Sequence, residues 1–530
     1  MNRDKNQYQI SRENLYNFLF SAALVSQRTD LTPAQRTSLA AAFSHSPISG
    51  RTGLRAFLED FLSTNNSDET VRRDLGRWPT SGQTEKARTQ AQTWMKRKVF
   101  MISAEDLGFR NSTKQDEPSL FFAWGEKSVL DSPRAAILNS RKPRRIGPED
   151  RWVEVTKKLA EQLFNDGFCA VTGLGNFQYE LVCALAKMAR SSVLIVCDHH
   201  LPFLLPQEKL DEFLRTFECL FPLKQALILS PFMPGRLPSK KERIVERDRL
   251  IVNLAHNIMV AEIRPHGNME RLVKTALHQK AHIQVFAPEK FNRATGGNKT
   301  LLESGASASK ILSETSATVR KEKTSGSKPR SDFKDHLLER PHLIHFTRSC
   351  SGPWPGQSLY EFYSSLTDNE QGAGHAAFDT LNRILREKKI RASGRLIRGR
   401  DAVVSFTARP LDELSELVRW RPGLIRWNFE PYGVAVSRDY LSEIGLARVI
   451  YGNEDVWKNL VPDHRYRFQL HEPPKTDWSK EMEWRLSVDL DLRAISPEFV
   501  RVIVPSTFEA EQIAPEHGYQ VVLASDFLKI

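Results

Sequence analysis

In the stretch Phe168–Cys169–Ala170–Val171–Thr172–Gly173–Leu174–Gly175–Asn176, an apolar run changes abruptly into Thr, two Gly and Asn. A helical pattern of apolar residues follows, from Tyr179 to Met188. A buried strand that enters a Gly-containing turn and then a helix directs backbone N–H groups and the positive helix end at one point, which suits a phosphate. A lone GxG after a strand is more often an ordinary βα turn, so the flanking sequence must distinguish the two interpretations.

Further apolar strands flank this stretch on both sides. Upstream, 134–141 is a strand that ends in small polar residues and is followed by three basic residues, Lys142, Arg144 and Arg145. Downstream, four more apolar strands occur at 191–197, 225–230, 257–262 and 282–287. Helical segments lie between most of them. This alternation predicts a doubly wound, Rossmann-like parallel sheet of the α/β class.

Length and composition restrict the class of protein. A chain of 530 residues is too long for one ordinary core, and its net charge of +12 favours a polyanionic partner. The five cysteines form no CxxC pair, the first residues lack a basic signal-peptide region, and no apolar run is long enough to cross a membrane. We therefore expect a cytoplasmic protein without membrane contact. His278 and His282 span a predicted change from helix to strand, so no metal site is predicted.

Changes in composition divide the chain into four parts. Residues 1–110 are predicted to form a helical segment, with a helix start at Thr32–Pro33 and an apolar repeat between Leu54 and Leu62. The sheet domain follows at 111–290. Residues 291–335 are dense in Ser, Thr, Gly and Lys, which predicts a flexible basic linker. Residues 336–530 form the last predicted domain.

The sheet domain resembles the DNA-processing protein A (DprA/Smf) family. The blocks that carry this resemblance are Pro118–Gly125, Ala136–Arg141, Gly167–Leu174, Glu246–Leu254 and His282–Pro288. That family has a Rossmann-like domain that binds single-stranded DNA in natural transformation, within a wider clan that binds nucleotides. The resemblance therefore implies a single-stranded DNA or nucleotide-derived ligand, and it favours a homodimer.

Basic and small polar residues lie at or just before the turns of the predicted sheet. Arginine forks and backbone amides at strand ends bind phosphates without reading bases. The predicted nucleic-acid or phosphate-binding residues are Ser140, Arg141, Arg144, Thr172, Gly173, Arg247 and Arg249. The sequence departs from the family where Asn139 replaces a Gly and Asp248 replaces an Asn. In an alternative interpretation, Arg247 and Arg249 only form ion pairs with Asp248 and Glu246.

The C-terminal domain mixes strands with helices and is predicted to be of the α+β class. Short strands are predicted at 343–347, 403–407, 431–436 and 481–486, and a helix at 377–389. In the last strand, a period of two places Glu481, Glu483 and Arg485 on the same face. A structural ion pair between these residues is the alternative to a functional role.

This order of motifs resembles the ADP-ribosyltransferase clan, and more closely its abortive-infection and DarT-like toxin branches. The resemblance implies that NAD is a substrate, because cleavage of the nicotinamide–ribose bond passes through an oxocarbenium-like state that a carboxylate stabilises. The catalytic residues implied are Glu483, Glu481, His345 and Tyr432. The implied cofactor-binding residues are His345, Thr347, Asn382, Thr407 and Tyr432.

Together these observations predict a sensor–effector protein of prokaryotic antiviral defence. The DprA-like domain would bind single-stranded DNA or a nucleotide ligand, and the C-terminal domain would use NAD to ADP-ribosylate a target or hydrolyse NAD. The alternative is a non-enzymatic single-stranded DNA-binding recombination protein whose C-terminal domain docks partners. A phosphoribohydrolase is a third possibility, but the acidic motif that it needs after Gly173 is absent.

Overall fold

The structure is a computed structural model. It describes residues 12–27, 80–108, 120–142, 146–147, 150–235, 237–279, 281–309, 341–350, 352–368, 370, 372–395, 397–418, 420–421, 426–473 and 477–526. The chain divides into two compact units. Residues 1–143 and 150–316 form the N-terminal unit, and residues 144–149 and 317–530 form the C-terminal unit. Within the described ranges, no helix is both long enough and apolar enough to span a lipid bilayer.

Strands and helices alternate along most of the N-terminal unit. Its strands are β1 Phe100–Ser103, β2 Leu120–Gly125, β3 Arg134–Asn139, β4 Cys169–Gly173, β5 Val193–Val196, β6 Ala226–Ser230, β7 Asn257–Glu262, β8 His282–Val285 and β9 Ser307–Ala308. Its helices are α1 Arg12–Val25, α2 Ser81–Lys96, α3 Arg151–Asn165, α4 Phe177–Met188, α5 Gln207–Phe217, α6 Lys240–Leu254, α7 Asn268–His278 and α8 Gly296–Glu303.

The nine described strands of this unit form one sheet in the order β1-β2-β6-β5-β4-β3-β7-β8-β9. Pairing is parallel from β6 through β9, while β1 and β2 are antiparallel additions at one edge. The chain moves from β3 to one side as far as β6 and then returns to β7 on the other side. The predicted doubly wound parallel sheet is confirmed. The order in which the chain adds strands reverses between β3 and β7.

Burial explains why the strands were visible in the sequence. Every residue of β3, β4, β5 and β6 is buried, as expected for parallel strands covered by helices on both faces. One large apolar cluster joins Val171 and Leu194 of the sheet to Leu250 and Ile251 of α6. Such strands appear as continuous apolar runs rather than as alternating ones.

The helix α2 packs on the sheet part of the same unit. Its start is fixed by a capping box between Thr80 and Gln83. At its other end, the indole Nε1 of the buried Trp94 donates to Leu204 O at 3.1 Å, and Arg97 Nη1 donates to Leu205 O at 2.6 Å. The predicted helix start at 32–33 and the apolar repeat at 54–62 lie outside the described residues.

The sheet domain extends beyond residue 290, where the linker was predicted to begin. Helix α8 and strand β9 follow, and β9 pairs with β8. The fully buried Asn298 accepts from Ile263 N at 2.7 Å and donates to Ala261 O and Phe286 O at 2.8 Å each. Because its amide bridges the ends of two strands, this polar segment is part of the domain. The rest of the predicted linker, 310–335, lies outside the described residues.

The C-terminal unit mixes short strands and helices. Its strands are β10 His342–Phe346, β11 Lys389–Ile390, β12 Val404–Thr407, β13 Trp420–Arg421, β14 Arg426–Trp427, β15 Gly433–Ser437, β16 Ala447–Arg448, β17 Ile450–Gly452, β18 Phe468–Leu470, β19 Glu483–Leu486, β20 Leu490–Asp491, β21 Val500–Val504 and β22 Gln520–Leu523. Its helices are α9 Leu359–Thr367, α10 Ala377–Glu387, α11 Arg438–Glu443, α12 Glu454–Asn459 and α13 Thr507–His517.

Seven of these strands form the main sheet of the described C-terminal unit, in the order β16-β19-β12-β10-β15-β21-β22. All its pairs are antiparallel except β21 with β22. One face carries the larger apolar cluster, in which Leu381 and Leu385 of α10 meet Leu343, Val434 and Val436 of the sheet. The other face carries a smaller cluster that includes Ile344 and Ala435.

Replacing Asn298 by Ala tests whether the segment after residue 290 belongs to the domain. The change leaves one buried N–H and two buried carbonyl groups without their partner, which costs at least about 2 kcal/mol of unfolding free energy. We expect the midpoint of thermal unfolding to fall by roughly 4–8 °C. Asn253→Ala, at an exposed position of α6, is the control. An unchanged midpoint in Asn298→Ala would show that the segment is not held by this amide.

Candidate functional site

A cleft of about 360 Å³ lies at the carboxyl ends of β3, β4 and β7 in the N-terminal unit. This is the position where the strand order reverses, and ligands of open α/β sheets bind there. The cleft is lined by Asn139, Ser140, Arg141, Asn176, Gln178, Ile244, Arg247, Asp248, Arg264, Pro265, Gly267, Asn268, Met269 and Arg293.

The loop after β3 is fixed to the loop after β7 by hydrogen bonds. Ser140 N donates to Glu262 O at 2.8 Å, and Arg264 N donates to the Ser140 hydroxyl at 2.9 Å. The buried Asn139 uses both ends of its amide, since it accepts from Glu262 N and donates to the Thr156 hydroxyl. The departure from the family's Gly at position 139 therefore has a structural role in joining the two strands.

A buried guanidinium forms the floor of the cleft. The side chain of Arg247, on α6, is 2% exposed, and its Nη2 lies 2.8 Å from Asp248 Oδ1. The same oxygen accepts the Tyr179 hydroxyl at 2.8 Å, and the guanidinium carbon lies 4.7 Å from the Tyr179 ring centre. Leu174 O accepts a further bond from Arg247 Nη1.

Burial sets the protonation states of this group. Burial by itself lowers the pKa of Arg247, but Tyr179 and Asp248 outweigh it and the pKa is raised. Burial and the neighbouring Asp248 raise the pKa of the Tyr179 hydroxyl well above its usual value. At physiological pH the Arg247 guanidinium is therefore charged and the Tyr179 phenol is neutral.

The structure separates the predicted phosphate-binding residues. Ser140, Arg141 and Arg247 line the cleft, but the Arg247 guanidinium is held by Asp248, as the alternative interpretation stated. Arg249 likewise pairs with Glu246, with Nη2 and Oε1 2.7 Å apart. Two other predicted residues, Thr172 and Gly173, are buried beneath the floor. Arg144 lies outside the described residues.

Thr172 and Gly173 position the floor rather than face the cleft. The Thr172 hydroxyl donates to Tyr179 O at 3.0 Å, which fixes the start of α4 against β4. A Cβ at residue 173 would lie 3.1 Å from the Cδ of Arg247, so a glycine here lets the buried side chain approach the strand end. Both residues therefore act through Arg247 and Tyr179.

Two arginines of the cleft were missing from the sequence prediction. Arg264 follows β7, Arg293 precedes α8, and both are exposed, as is Arg141. Arg264 Nη2 also lies 3.5 Å from Arg141 O. The turn Arg264–Gly267 at the end of a predicted strand was the available signal, but it places Arg264 beside Arg141 only once β7 is known to pair with β3. The rim of the cleft thus carries three exposed guanidinium groups.

In the C-terminal unit, His345 lies where the main sheet is weakly paired. Strands β10 and β12 pair at one register position, Ile344 with Thr407. His345 Nδ1 lies 2.9 Å from Ser405 O, and burial lowers the pKa of its ring to about 4. The neutral ring therefore donates from Nδ1 and keeps a lone pair on Nε2.

The predicted NAD-binding residues lie on two faces of this sheet. His345 and Tyr432 pack with the larger apolar cluster, and Thr347 donates to Ala377 O of α10, the helix that also carries Asn382. The Tyr432 hydroxyl donates to Glu509, 3.2 Å away. His345, Thr347 and Tyr432 share the face that α10 covers.

Thr407 and Glu483 lie on the opposite face. They are cross-strand partners, and Thr407 is also the partner of Ile344, whose side chain belongs to the smaller cluster. Glu483 binds Arg485 with both oxygens, at 2.8 and 3.0 Å, and Arg485 is 1% exposed. The predicted common face of Glu483 and Arg485 is present, and it holds the structural ion pair of the alternative interpretation.

The predicted position of Glu481 on that strand is wrong. Residues Ser479–Glu481 form a 3₁₀ turn, Met482 has a left-handed backbone with φ of 43°, and β19 begins only at Glu483. Glu481 is nevertheless connected to the same face, because its backbone oxygen accepts the Thr407 hydroxyl at 2.6 Å.

A half-buried arginine that the sequence did not single out, Arg348, is influenced by the charges of three carboxylates. Burial lowers the pKa of Arg348, while the negative charges of Glu481, Glu483 and Glu430 act in the opposite direction. Glu430 is itself oriented by the backbone N–H and hydroxyl of Ser349, at 2.8 Å each. The position of Arg348, directly after the His345–Thr347 motif, was the available signal. We call Arg348, Glu430, Glu481 and Glu483 the carboxylate cluster.

Residues 98–320 match the model of the family described as DNA recombination-mediator protein A. The predicted resemblance of the sheet domain is confirmed, and the N-terminal unit contains a DprA-like domain. The match ends at residue 320. The resemblance of the C-terminal unit to ADP-ribosyltransferases, the use of NAD and the homodimer therefore stay predictions.

Similar solved structures include DNA processing protein A from Streptococcus pneumoniae, which is 17% identical, with 56% of this chain and 89% of that chain covered and a TM-score of 0.34. The Helicobacter pylori protein, described for its mode of single-stranded DNA binding, is 18% identical, with 40% and 90% covered and a TM-score of 0.31. The molybdenum cofactor carrier protein of Chlamydomonas rheinhardtii is 14% identical, with 29% and 76% covered and a TM-score of 0.19. No curated protein sequence matches the chain.

Acidification should destabilise the C-terminal unit through His345. An unfolded histidine titrates near pH 6.5, so between pH 6.5 and about 4 the unfolded chain binds a proton that the folded chain does not. Stability therefore falls as the pH is lowered through this range, by about 2 kcal/mol at pH 5. Thermal unfolding at pH 7.5 and pH 5 measures the total loss, which also includes His375, whose pKa burial likewise lowers to about 4. His345→Gln should reduce it and His282→Gln, exposed on β8, should not. Equal pH dependence in all three proteins would contradict the assignment.

Proposed function

We propose that the DprA-like domain binds single-stranded DNA or a nucleotide-derived ligand in the cleft at the ends of β3, β4 and β7. The observation that carries the proposal is the rim of three exposed arginines, Arg141, Arg264 and Arg293, at the point where the strand order reverses. Guanidinium forks bind phosphates, and the family description as a recombination mediator favours DNA as the source of those phosphates.

The floor and the rim have different tasks in this proposal. The guanidinium of Arg247 is held by Asp248, so it supports the cleft and does not supply a free charge. Two of the rim arginines, Arg141 and Arg264, stand on loops that are joined by the hydrogen bonds of Ser140. A rigid backbone below the guanidinium groups lowers the entropy lost on binding, and contacts to phosphates do not depend on base identity. Binding should therefore tolerate any sequence.

The proposal extends to the C-terminal unit as an effector that acts on NAD when the cleft is occupied. It is supported by the order of motifs in the sequence and by the carboxylate cluster, where a negative charge could stabilise an oxocarbenium-like ribose. His345 and Glu483 lie on opposite faces of the sheet, so the proposal depends on the carboxylates rather than on a shared pocket. The alternative function is a non-enzymatic DNA-binding protein with a C-terminal docking domain.

Salt titration tests the cleft. Binding of a fluorescein-labelled dT15 oligonucleotide, followed by anisotropy, should weaken steeply with salt concentration. Arg141→Ala and Arg264→Ala should each reduce the slope of log affinity against log salt by about 0.7. Arg215→Ala, exposed on α5, is the matched control and should leave the slope unchanged. Affinity that is independent of salt would refute the cleft as the binding site. Equal affinity in wild type and in the variant that combines Arg141→Ala with Arg264→Ala would also refute it.

The effector is tested by NAD turnover of the full chain with and without dT15. We expect Glu483→Gln to abolish turnover, but it also removes the partner of the buried Arg485, which costs stability. Glu481→Gln keeps the ion pair of Glu483 with Arg485, so it should lower turnover at an unchanged unfolding midpoint. Glu443→Gln, exposed at the end of α11, is the control. Turnover by Glu481→Gln and Glu483→Gln equal to wild type would exclude the carboxylate cluster. A wild type inactive under both conditions would favour the docking domain.

A further inference from the structure

The C-terminal unit carries stacks of arginine on tryptophan that neither the cleft nor the carboxylate cluster uses. The contacts, from guanidinium carbon to ring centre, are Arg398 over Trp457 at 4.6 Å, Arg465 over Trp457 at 5.4 Å, Arg438 over Trp484 at 4.9 Å and Arg448 over Trp484 at 5.5 Å. We call these six residues the Arg–Trp surface.

A hydrogen bond from a side chain to a backbone carbonyl links the two stacks. Arg465 and Arg467 belong to the same 3₁₀ turn, Pro462–Arg467, and Arg467 Nε donates to Arg448 O at 2.9 Å. The turn that supplies an arginine to Trp457 is thus bonded to the strand that supplies an arginine to Trp484. Trp484 packs with the larger apolar cluster, whereas Arg485 points to the opposite face of β19 and donates to Tyr466 O and Phe468 O. The two stacks therefore lie on opposite faces and meet at the edge strand β16.

The surface is accessible and positively charged. Arg398, Arg438 and Arg448 are exposed, and both tryptophans are half-buried. Arg398 forms an ion pair with Glu454. Within the described part of the unit, Arg438, Arg448 and Arg465 form no ion pair with a carboxylate. Arg398 also belongs to the loop 391–400, which contains four arginines. The positive charge of the surface therefore exceeds what its single carboxylate partner neutralises.

Stacking on an indole ring also prepares these arginines for a ligand. A guanidinium held over an aromatic face has already lost much of its rotamer freedom, so less entropy is lost when it binds a phosphate. Arg438 and Arg448 approach one ring from different elements, α11 and β16.

We propose that the Arg–Trp surface binds single-stranded nucleic acid. A single strand presents unstacked bases, which stack on aromatic rings and guanidinium planes, and phosphates at regular spacing, which bind arginine. A duplex offers no free base faces, and an acidic protein would not need the aromatic rings. DNA and RNA share this chemistry. The site lies in the other unit from the cleft and does not depend on it.

The experiment uses the full chain with Arg141→Ala and Arg264→Ala in place, so that the cleft does not contribute. Fluorescein-labelled dT15 and rU15 are titrated at several salt concentrations. Arg438→Ala combined with Arg448→Ala should reduce the slope of log affinity against log salt by about 1.4. Trp457→Ala should weaken binding roughly tenfold. Trp457→Phe keeps an aromatic plane and should retain most of the affinity. Arg493→Ala, whose guanidinium pairs with Asp491 outside the surface, is the control.

Cross-linking locates the contact independently of stability. A dT15 oligonucleotide that carries bromodeoxyuridine, irradiated with the protein, should label peptides that contain Trp457 or Trp484. If only dT15 binds, the ligand is DNA, and if only rU15 binds, it is RNA. If both bind, the surface accepts either nucleic acid. Unchanged affinity and salt slope in the Arg438/Arg448 double variant would overturn the proposal. Competition by polyglutamate as effective per charge as dT15 would also overturn it, in favour of an acidic protein partner. Complete loss of dT15 and rU15 binding in the Arg141/Arg264 background would overturn it as well, because the Arg–Trp surface does not depend on the cleft.

Discussion

The N-terminal unit depends on the neutralisation of one buried charge, the guanidinium of Arg247. An unpaired charge in a protein interior costs several kcal/mol, and Asp248 removes that cost by supplying a carboxylate 2.8 Å away. The same carboxylate accepts the Tyr179 hydroxyl, so α6 is bonded to α4, and α4 is bonded to β4 through Thr172. The floor of the cleft is therefore rigid because its charge must be satisfied. Ligand binding is left to the exposed arginines of the rim.

This constraint explains which parts of the cleft were visible in the sequence. The parallel strands were predicted because burial on both faces makes them continuous apolar runs, and Ser140 and Arg141 follow directly from the end of β3. Arg249 was predicted to bind phosphate, but it forms an ion pair with Glu246, which lies three residues earlier on the same helix and already indicated that pair. Arg264 could not be assigned, because its neighbour Arg141 is more than a hundred residues away and the pairing of β7 with β3 is not encoded in any local pattern.

The sequence analysis began the linker at residue 291 and placed Glu481 on the strand of Glu483. These two differences from the structure have a common origin. Composition and periodicity describe only residue types. The structure of these two segments depends instead on hydrogen-bond partners and on backbone conformation. The polar segment around Asn298 has the composition of a linker, yet each polar group of that amide is bonded to a strand end. The alternation of Glu481 and Glu483 assumes an extended backbone, and the left-handed Met482 interrupts it. A non-glycine residue in that conformation has no sequence signal.

The arginines of the two units show why net charge alone does not locate a ligand. The chain has 76 lysines and arginines and a net charge of +12, but Arg247 and Arg485 are buried and held by carboxylates, so they contribute rigidity and little external field. Exposed arginines with fixed positions contribute both a field and a preorganised contact. At the cleft the loops of Arg141 and Arg264 are fixed by a hydrogen bond from Arg264 N to the Ser140 hydroxyl, and on the Arg–Trp surface the arginines are fixed by indole rings. Aromatic planes add contacts to bases that bare loops do not offer. The affinity of the cleft for nucleic acid should therefore depend mainly on salt concentration. The affinity of the Arg–Trp surface should depend both on salt concentration and on the presence of each aromatic ring.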